Sequence, residues 1–296
     1  MNGPVRERGR VLGQGRSGVY HTLTVAAPRV AMASRAGQFL AVLPGTDHTF
    51  RLRRPFSVHR VGRSGGTPAT VEFSFAVLGP GTQALAALHE GEELDVLGPL
   101  GRPFRPPAAP TACLLVGGGY GAAPLFLLSE ELRGRGCRVD LLTGAATAER
   151  LFKPAESAAV GDSLTVTTDD GSAGLHGVVT DAMPALLANA GNTVVYACGP
   201  MAMLAAVART AAAAGVACQV AVEEQMACGT GICFSCVVPL FDGAPGVTRM
   251  ARTCIEGPVF DGAAVAWAEL GLDVLDPGGA WGGAGSPPHG SRAVAP

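Results

Sequence analysis

Apolar and polar positions divide this chain into stretches of different rhythm. From 17 to 105 they alternate in short runs cut by Gly and Pro: VYHTLTVA, QFLAVLP, RRPFSVHRV, ATVEFSFAVL and ELDVLGPLG. Period-two runs of this length are strands with one buried face, and their spacing predicts a small antiparallel barrel. TQALAALHEGE, before the last of them, has helical spacing. PPAAP at 106–110 is a stiff connection, and beyond it the rhythm changes. ACLLVGGG, RVDLLTGA, SLTVTTDD and NTVVYACGP are apolar strands. YGAAPLFLLSEELRGRG, a short piece near ATAERLF, VVTDAMPALLANA and the segment from Met201 are helices. Strands alternating with helices predict a parallel sheet doubly wound by helices on both faces. After a cysteine-rich stretch, PVFDGAAVAW supplies a closing strand, and the Gly/Pro/Ser-rich tail from Asp276 has too little apolar surface to order itself. The predicted class is β plus α/β, with units at 1–105, 106–221 and 222–266 and an extension over 267–296.

Composition narrows the function classes. Apolar residues make up 48% of the 296 and charged residues 16%, enough to bury several cores. A net charge of −2 without a basic run, and only 5% aromatics for base stacking, argue against a nucleic-acid partner. Residues 1–16 are basic and polar and lack the apolar run of a secretion signal. The most apolar long window, Met201–Val222, is interrupted by Arg209, Thr210 and Gln219, so no membrane span is expected. Cys113, Cys137, Cys198 and Cys218 lie scattered in apolar segments as buried thiols would. A cytoplasmic protein is the expectation.

The chemistry concentrates in four places. Cys228, Cys233, Cys236 and Cys254 are spaced C-x4-C-x2-C with seventeen residues before the fourth, the plant-type pattern for a two-iron, two-sulfide (2Fe-2S) cluster. Gly229 and Gly231 let backbone N–H groups approach such a cluster. A zinc site or two disulfides are the alternatives; zinc favours two separated C-x2-C pairs, and only Cys233/Cys236 is one. Arg54-Pro55-Phe56-Ser57 can hold a guanidinium for a diphosphate and a hydroxyl for a ring nitrogen, or it is an ordinary strand with a solvated edge charge. Gly81-Thr82, in the Gly-Pro-Gly-Thr that opens a helix, is an anion site or a plain N-cap. Gly117-Gly118-Gly119-Tyr120-Gly121 ends the first parallel strand, where such sheets bind nucleotides, and Cys198-Gly199-Pro200 ends another. The glycine turn departs from GxGxxG, because position 124 is Pro, and tight strand–helix packing would also explain it.

Taken together, LRRPFSV, GTQALAALHEGEELDVLGPLG, GGGYGAAPL, CGP, and EEQMACGTGICFSCVV with CIEGPVF resemble the ferredoxin–NADP reductase superfamily over residues 8–266. Within it the chain is similar to the electron-transfer subunits of NAD-dependent dihydroorotate dehydrogenases. The resemblance implies an FAD-binding barrel, an NAD(H)-binding α/β domain and a 2Fe-2S domain. It assigns Arg54, Pro55, Phe56 and Ser57, the strand Ser74-Phe75-Ala76, and Gly81-Thr82 to FAD. It assigns Gly117 to Gly121 and Cys198-Gly199-Pro200 to NAD(H), and the four cysteines to iron. The family's basic or Tyr-Arg pair near Ser74–Ala76 is absent. The resemblance further implies a role in pyrimidine biosynthesis: a partner catalytic subunit carrying FMN, in a heterotetramer, supplies electrons for NAD+, and this chain carries no acid/base catalyst of its own. A reductase subunit serving a hydrogenase, sulfur-reducing or transhydrogenase-type complex would share the architecture, and a non-catalytic cluster- or zinc-bearing module would share only the cysteines. Arg150 and Lys153 fall near where a ribose would lie, without deciding between NADH and NADPH.

Overall fold

The computed structural model describes residues 3–44, 50–190, 194–243 and 246–272. The first unit is an antiparallel sheet of seven strands: β1 (Val5–Ser17), β2 (Tyr20–Ala26), β3 (Phe39–Leu43), β4 (Arg54–Ser57), β5 (Arg60–Ser64), β6 (Thr67–Ala76) and β7 (Glu93–Leu100). Their spatial order is β4-β3-β7-β1-β2-β6-β5. RRPFSVHRV, expected as one strand, is two, because its hydrogen bonding changes partner midway. β4 pairs with β3 and β5 with β6; at the crossing the Val58 N–H donates to Gln38 and the His59 N–H to Glu72. This crossing brings the two ends of the sheet together, and Phe56 stacks on Phe73 with ring centroids 4.9 Å apart.

Two elements here differ from the expectation. The barrel starts at Val5, not at residue 17, and β1 runs through its centre. Its inward positions are Gly9 and Val11, and a Cβ at Gly9 would meet Val25 Cγ1 at 2.5 Å. Glycine fills positions where alternation would otherwise show an apolar residue. Helix α1 (Pro28–Ala33) was also not expected; its sign was Pro28 in the first turn, where a missing N–H costs nothing. Helix α2 (Pro80–Ala86) lies within the expected helical stretch.

The second sheet holds β8 (Ala112–Gly118), β9 (Arg138–Ala145), β10 (Ser163–Thr168), β11 (Leu175–His176), β12 (Val194–Cys198) and β13 (Ala217–Ala221), all parallel. Its order, β11-β10-β9-β8-β12-β13, reverses between β8 and β12, the place where open parallel sheets form their crevice. Helices α3 (Ala123–Arg133) and α4 (Pro154–Val160) cover one face; α5 (Val179–Ala190) and α6 (Met201–Ala213) cover the other. ATAERLF forms only a 3-10 turn at Ala148–Arg150, and the short helix starts later, at Pro154.

The barrel and the α3 face share one continuous core, in which Val71, Phe73 and Leu94 join Leu115, Phe126 and Phe152. The cysteine segment adds a hairpin of β14 (Val237–Phe241) and β15 (Thr248–Arg252), and its last strand, β16 (Val259–Asp261), pairs antiparallel with β13 at the edge of the large sheet. Trp267 then packs into the α6-face core and donates its indole N–H to Gly262. Cys113, Cys137, Cys198 and Cys218 are buried and unpaired. No helix among the described residues is long and apolar enough to cross a membrane. The tail from 273 lies outside the described residues.

Candidate functional site

An open cleft lies between barrel and parallel sheet. Arg54, Pro55, Phe56 and Ser57 from β4, Ser74, Phe75 and Ala76 from β6, and Thr82 from α2 all line it. Pairing β4 with β3 on one side and β6 with β2 on the other is what turns these separate tripeptides and tetrapeptides toward one space. Gly81 is buried beneath Arg54: a Cβ there would stand 3.0 Å from the Arg54 Nε, so glycine lets the guanidinium lie across the start of α2. The Thr82 hydroxyl donates to the Gly79 carbonyl and accepts from the N–H of Leu78 and of Gly79. It is committed to the turn, which leaves Arg54 as the charged anion donor at this end. Ser74 hydrogen-bonds Thr22 at 2.8 Å and stands 3.4 Å from His59 Nδ1.

Of the glycine turn, Tyr120 lines the cleft, Gly118 and Gly121 meet the second turn, and Gly119 faces the Tyr20 hydroxyl. Gly117 pairs with Cys198 across β8 and β12. A Cβ at Gly121 would meet Gly199 Cα at 2.5 Å, and one at Gly118 would meet Pro200 Cδ at 2.9 Å. The two expected nucleotide turns are therefore one structure at the switch point of the sheet.

The cysteine loop sits beside the cleft on the outer surface of β3 and β7. Cys236 and Cys254 are buried with Phe39, Ala41 and Leu100, whereas Cys228 is half-buried and Cys233 exposed. The four thiols fall into two neighbouring pairs, Cys228 with Cys233 and Cys236 with Cys254. Among the described residues no three His, Cys, Asp or Glu side chains converge as a single metal ion requires. Cys254 also feels the charge of Cys228, so the two pairs are neighbours, an arrangement that fits the four ligands of a two-iron rhomb. The backbone serves the same end. Gly229, Gly231 and Phe234 all have left-handed φ (67°, 86° and 58°), which turns successive N–H groups inward as an anion-binding nest. The Thr230 N–H reaches the Cys228 sulfur at 3.4 Å. Burial raises the Cys228 thiol, but the N–H groups of Thr230, Cys233 and Ile232 outweigh it and hold the group down at about 6. Cys254 is pushed up to about 12, by burial first and by Cys236 next. Arg252 pins the loop: its Nη1 donates to Gly231 at 3.0 Å and its guanidinium lies 4.7 Å from the Phe234 ring centre.

Sequence reasoning missed Glu223 and Met226. Glu223 follows β13, lines the cleft and hydrogen-bonds Tyr120. Burial pushes its carboxyl up to about 7 against the Tyr120 hydrogen bond, which lowers it, although the residue keeps an exposed face. Met226, with Pro55, lines both the cleft and a small cavity containing Cys228 and Gly229. No spacing rule marks either residue; only the fold brings β13's end against the glycine turn.

A family model, the iron–sulfur cluster binding domain of dihydroorotate dehydrogenase B, matches residues 223–266. The chain is 35% identical over 241 residues to the dihydroorotate dehydrogenase B (NAD(+)) electron transfer subunit of Desulforamulus reducens, covering 81% of this chain and 90% of that one. The corresponding subunit of Geobacillus thermodenitrificans is 37% identical with the same coverage. Among solved structures, an NADH-dependent reduced ferredoxin–NADP oxidoreductase involved in flavin-based electron bifurcation superimposes with a TM-score of 0.77 at 30% identity, over 89% of this chain and 91% of that one. A ferredoxin–NADP+ reductase from Neisseria gonorrhoeae with bound FAD and NADP shares the fold, with a TM-score of 0.58 at 18% identity over 71% and 92% of the two chains. The chain belongs to the family of dihydroorotate dehydrogenase B electron-transfer subunits.

Proposed function

We propose that this chain is the reductase subunit of a dihydroorotate dehydrogenase, carrying electrons between an FMN-bearing catalytic partner and NAD+ by way of a 2Fe-2S cluster and FAD. The observation that carries the reading is the contact between the two sites: Pro55 and Met226 line the cleft on one side and the Cys228 cavity on the other. A flavin exchanges hydride with a nicotinamide and single electrons with an iron–sulfur cluster, which is the chemistry such a neighbourhood requires.

The residues divide that work. Arg54 faces the cleft over Gly81 and offers its planar donors to the FAD diphosphate. Ser57 lines the cleft where the flavin ring would lie, Ser74 holds its strand through Thr22, and Phe75 and Ala76 give the ring an apolar wall. The joined turns at Gly117–Gly121 and Cys198–Pro200 lie at the switch point of the parallel sheet, where NAD(H) would bind. NADH gives up a hydride, and once its two electrons have left singly one proton remains, which the Glu223 carboxylate, bonded to Tyr120 at the cleft, would take; in the opposite direction its protonated form would return it. Cys228 and Cys233 would hold one iron, and Cys236 and Cys254 the other. Ile232 and Phe234 are 79% and 59% exposed on the cysteine loop and form the apolar face that meets the catalytic partner.

The test is spectroscopic and kinetic. Purified protein should show flavin absorption with an underlying iron–sulfur contribution and oxidise NADH with a dye acceptor. Cys233→Ser should keep FAD and dye reduction and lose transfer to the FMN subunit. Flavin-loaded, cluster-loaded protein that passes no electrons from NADH to any dye would rule the reading out. Co-purification with a hydrogenase or sulfur-reducing subunit in place of an FMN dehydrogenase would reassign the partner.

A further inference from the structure

The barrel carries an ion triad that the cleft does not use. Asp95 on β7 accepts from Arg6 Nε and Nη2 at 2.9 and 2.5 Å and from Arg53 Nη2 at 2.6 Å. Leu97, two residues along β7, faces the same side of the sheet as Asp95, and Leu97 packs against the group that buries Cys236 and Cys254. The register on the next strand agrees: Ala41 stands opposite Leu97, and Leu43 opposite Asp95. The triad therefore continues the surface on which the cysteine loop is seated.

Arg53 is its inner member. With Ala41, Pro55, Met226, Ala227 and Gly229 it lines the small cavity that also contains Cys228. Its outer nitrogen is held by Asp95, yet its Nε is buried and has no hydrogen-bond partner among the described residues. A buried N–H left without an acceptor is costly, so its direction needs a reason. Burial raises the Asp95 carboxyl, but its bonds to Arg6 and Arg53 outweigh that and keep it below the usual carboxylate range. The triad thus holds two positive charges against one negative.

We propose that Arg53, positioned by Asp95, sets the reduction potential of the cluster, its charge and Nε–H acting from the Cys228 side to stabilise the reduced form. The proposal rests on the cluster assignment above. Reduction adds one negative charge to the cluster site, and a nearby cation and donor lower the cost of that charge. Asp95 offsets part of the effect, so the two side chains pull the potential in opposite directions.

The experiment is a redox titration of the full chain with flavin and cluster bound, followed by electron paramagnetic resonance of the reduced cluster. Arg53→Gln should move the cluster midpoint to more negative values, and Asp95→Asn to more positive values. Arg53→Lys, which keeps the charge and loses the Nε–H, should fall between Arg53→Gln and the unaltered protein. The flavin midpoint and flavin content should hold steady, which separates a local electrostatic role from damage to the barrel. If Arg53→Gln does not fold, the Asp95→Asn and Arg53→Lys shifts decide. Cluster midpoints unchanged in the variants at full cluster content overturn the proposal. An unaltered protein without a two-iron signal rejects the cluster assignment itself, and this proposal with it.

Discussion

At the scale of single residues, Glu223 shows how a fold makes chemistry that composition hides. A carboxyl pushed up to about 7 is half-ionised near neutral pH, where a proton carrier is most effective. Electron flow from NADH to a one-electron acceptor needs the carboxylate, so that rate should rise as pH climbs through about 7. NAD+ reduction needs the acid, so it should fall over the same range. Glu223→Gln should flatten both profiles and slow turnover by on the order of a hundredfold, the usual share of a positioned acid or base; pH–rate curves in both directions measure it. A variant that keeps the unaltered curve shape would assign Glu223 to packing. The cysteines were legible in the sequence because iron–sulfur ligation demands a fixed spacing. Arg54 and Ser57 by themselves read equally well as a binding tetrapeptide or an ordinary strand, and the structure brings both to the cleft. Glu223 was not legible, since a lone Glu beside Glu224 has no pattern until β13 and the β8 turn meet.

At the scale of elements, the meeting of two turns is the feature most sensitive to a methyl group. Gly121 faces Gly199 Cα and the Cys198 carbonyl, both backbone, so neither can rotate aside. Gly121→Ala should force β8 and β12 apart at their carboxyl ends and cost about 1–3 kcal/mol, the range for overpacking a tight site. NADH should bind more weakly while FAD content stays unchanged. Gly13→Ala is the control, because a Cβ there meets nothing within 4 Å; thermal unfolding and the KM for NADH of the two variants give the comparison. Equal effects at both positions would remove the turn junction from the argument. Elements with one unambiguous rhythm, β2, β6, β8 and α6, lie where the sequence predicts them. β1 escaped because Gly9 stands in for an apolar residue, and α4 was misplaced because Ala148–Arg150 has helix-forming residues but too few of them before Pro154 restarts the turn.

At the scale of the whole molecule, the barrel and the parallel sheet are welded at His59. Its ring is fully buried, edge-on to Phe126 at 4.9 Å and to Phe152 at 5.3 Å from the α/β side, with Ser74 of the cleft at its Nδ1. Glu72 Oε2 approaches Nδ1 at 3.8 Å, while Nε2 has no partner among the described residues. Burial, then the positive charges of Lys153 and Arg60, hold the group down at about 3. The folded chain therefore keeps His59 neutral where an unfolded chain, with the ordinary value of 6.5, takes up a proton. The stability this contributes is fully present above about pH 6.5 and is lost as pH falls toward 3. By linkage the loss from this one group reaches about 2 kcal/mol on acidifying from neutral to about pH 5. Urea unfolding at stepped pH should show that slope, and His59→Leu should flatten it by close to one proton. The absolute stability of the variant can shift either way with the Ser74 contact, so the slope is the quantity that decides. Because His59 touches Ser74, the same acidification should release FAD as the domains separate, with flavin fluorescence rising along the unfolding curve. Flavin loss at a pH where His59→Leu and the unaltered protein behave alike would detach the cleft from this interface.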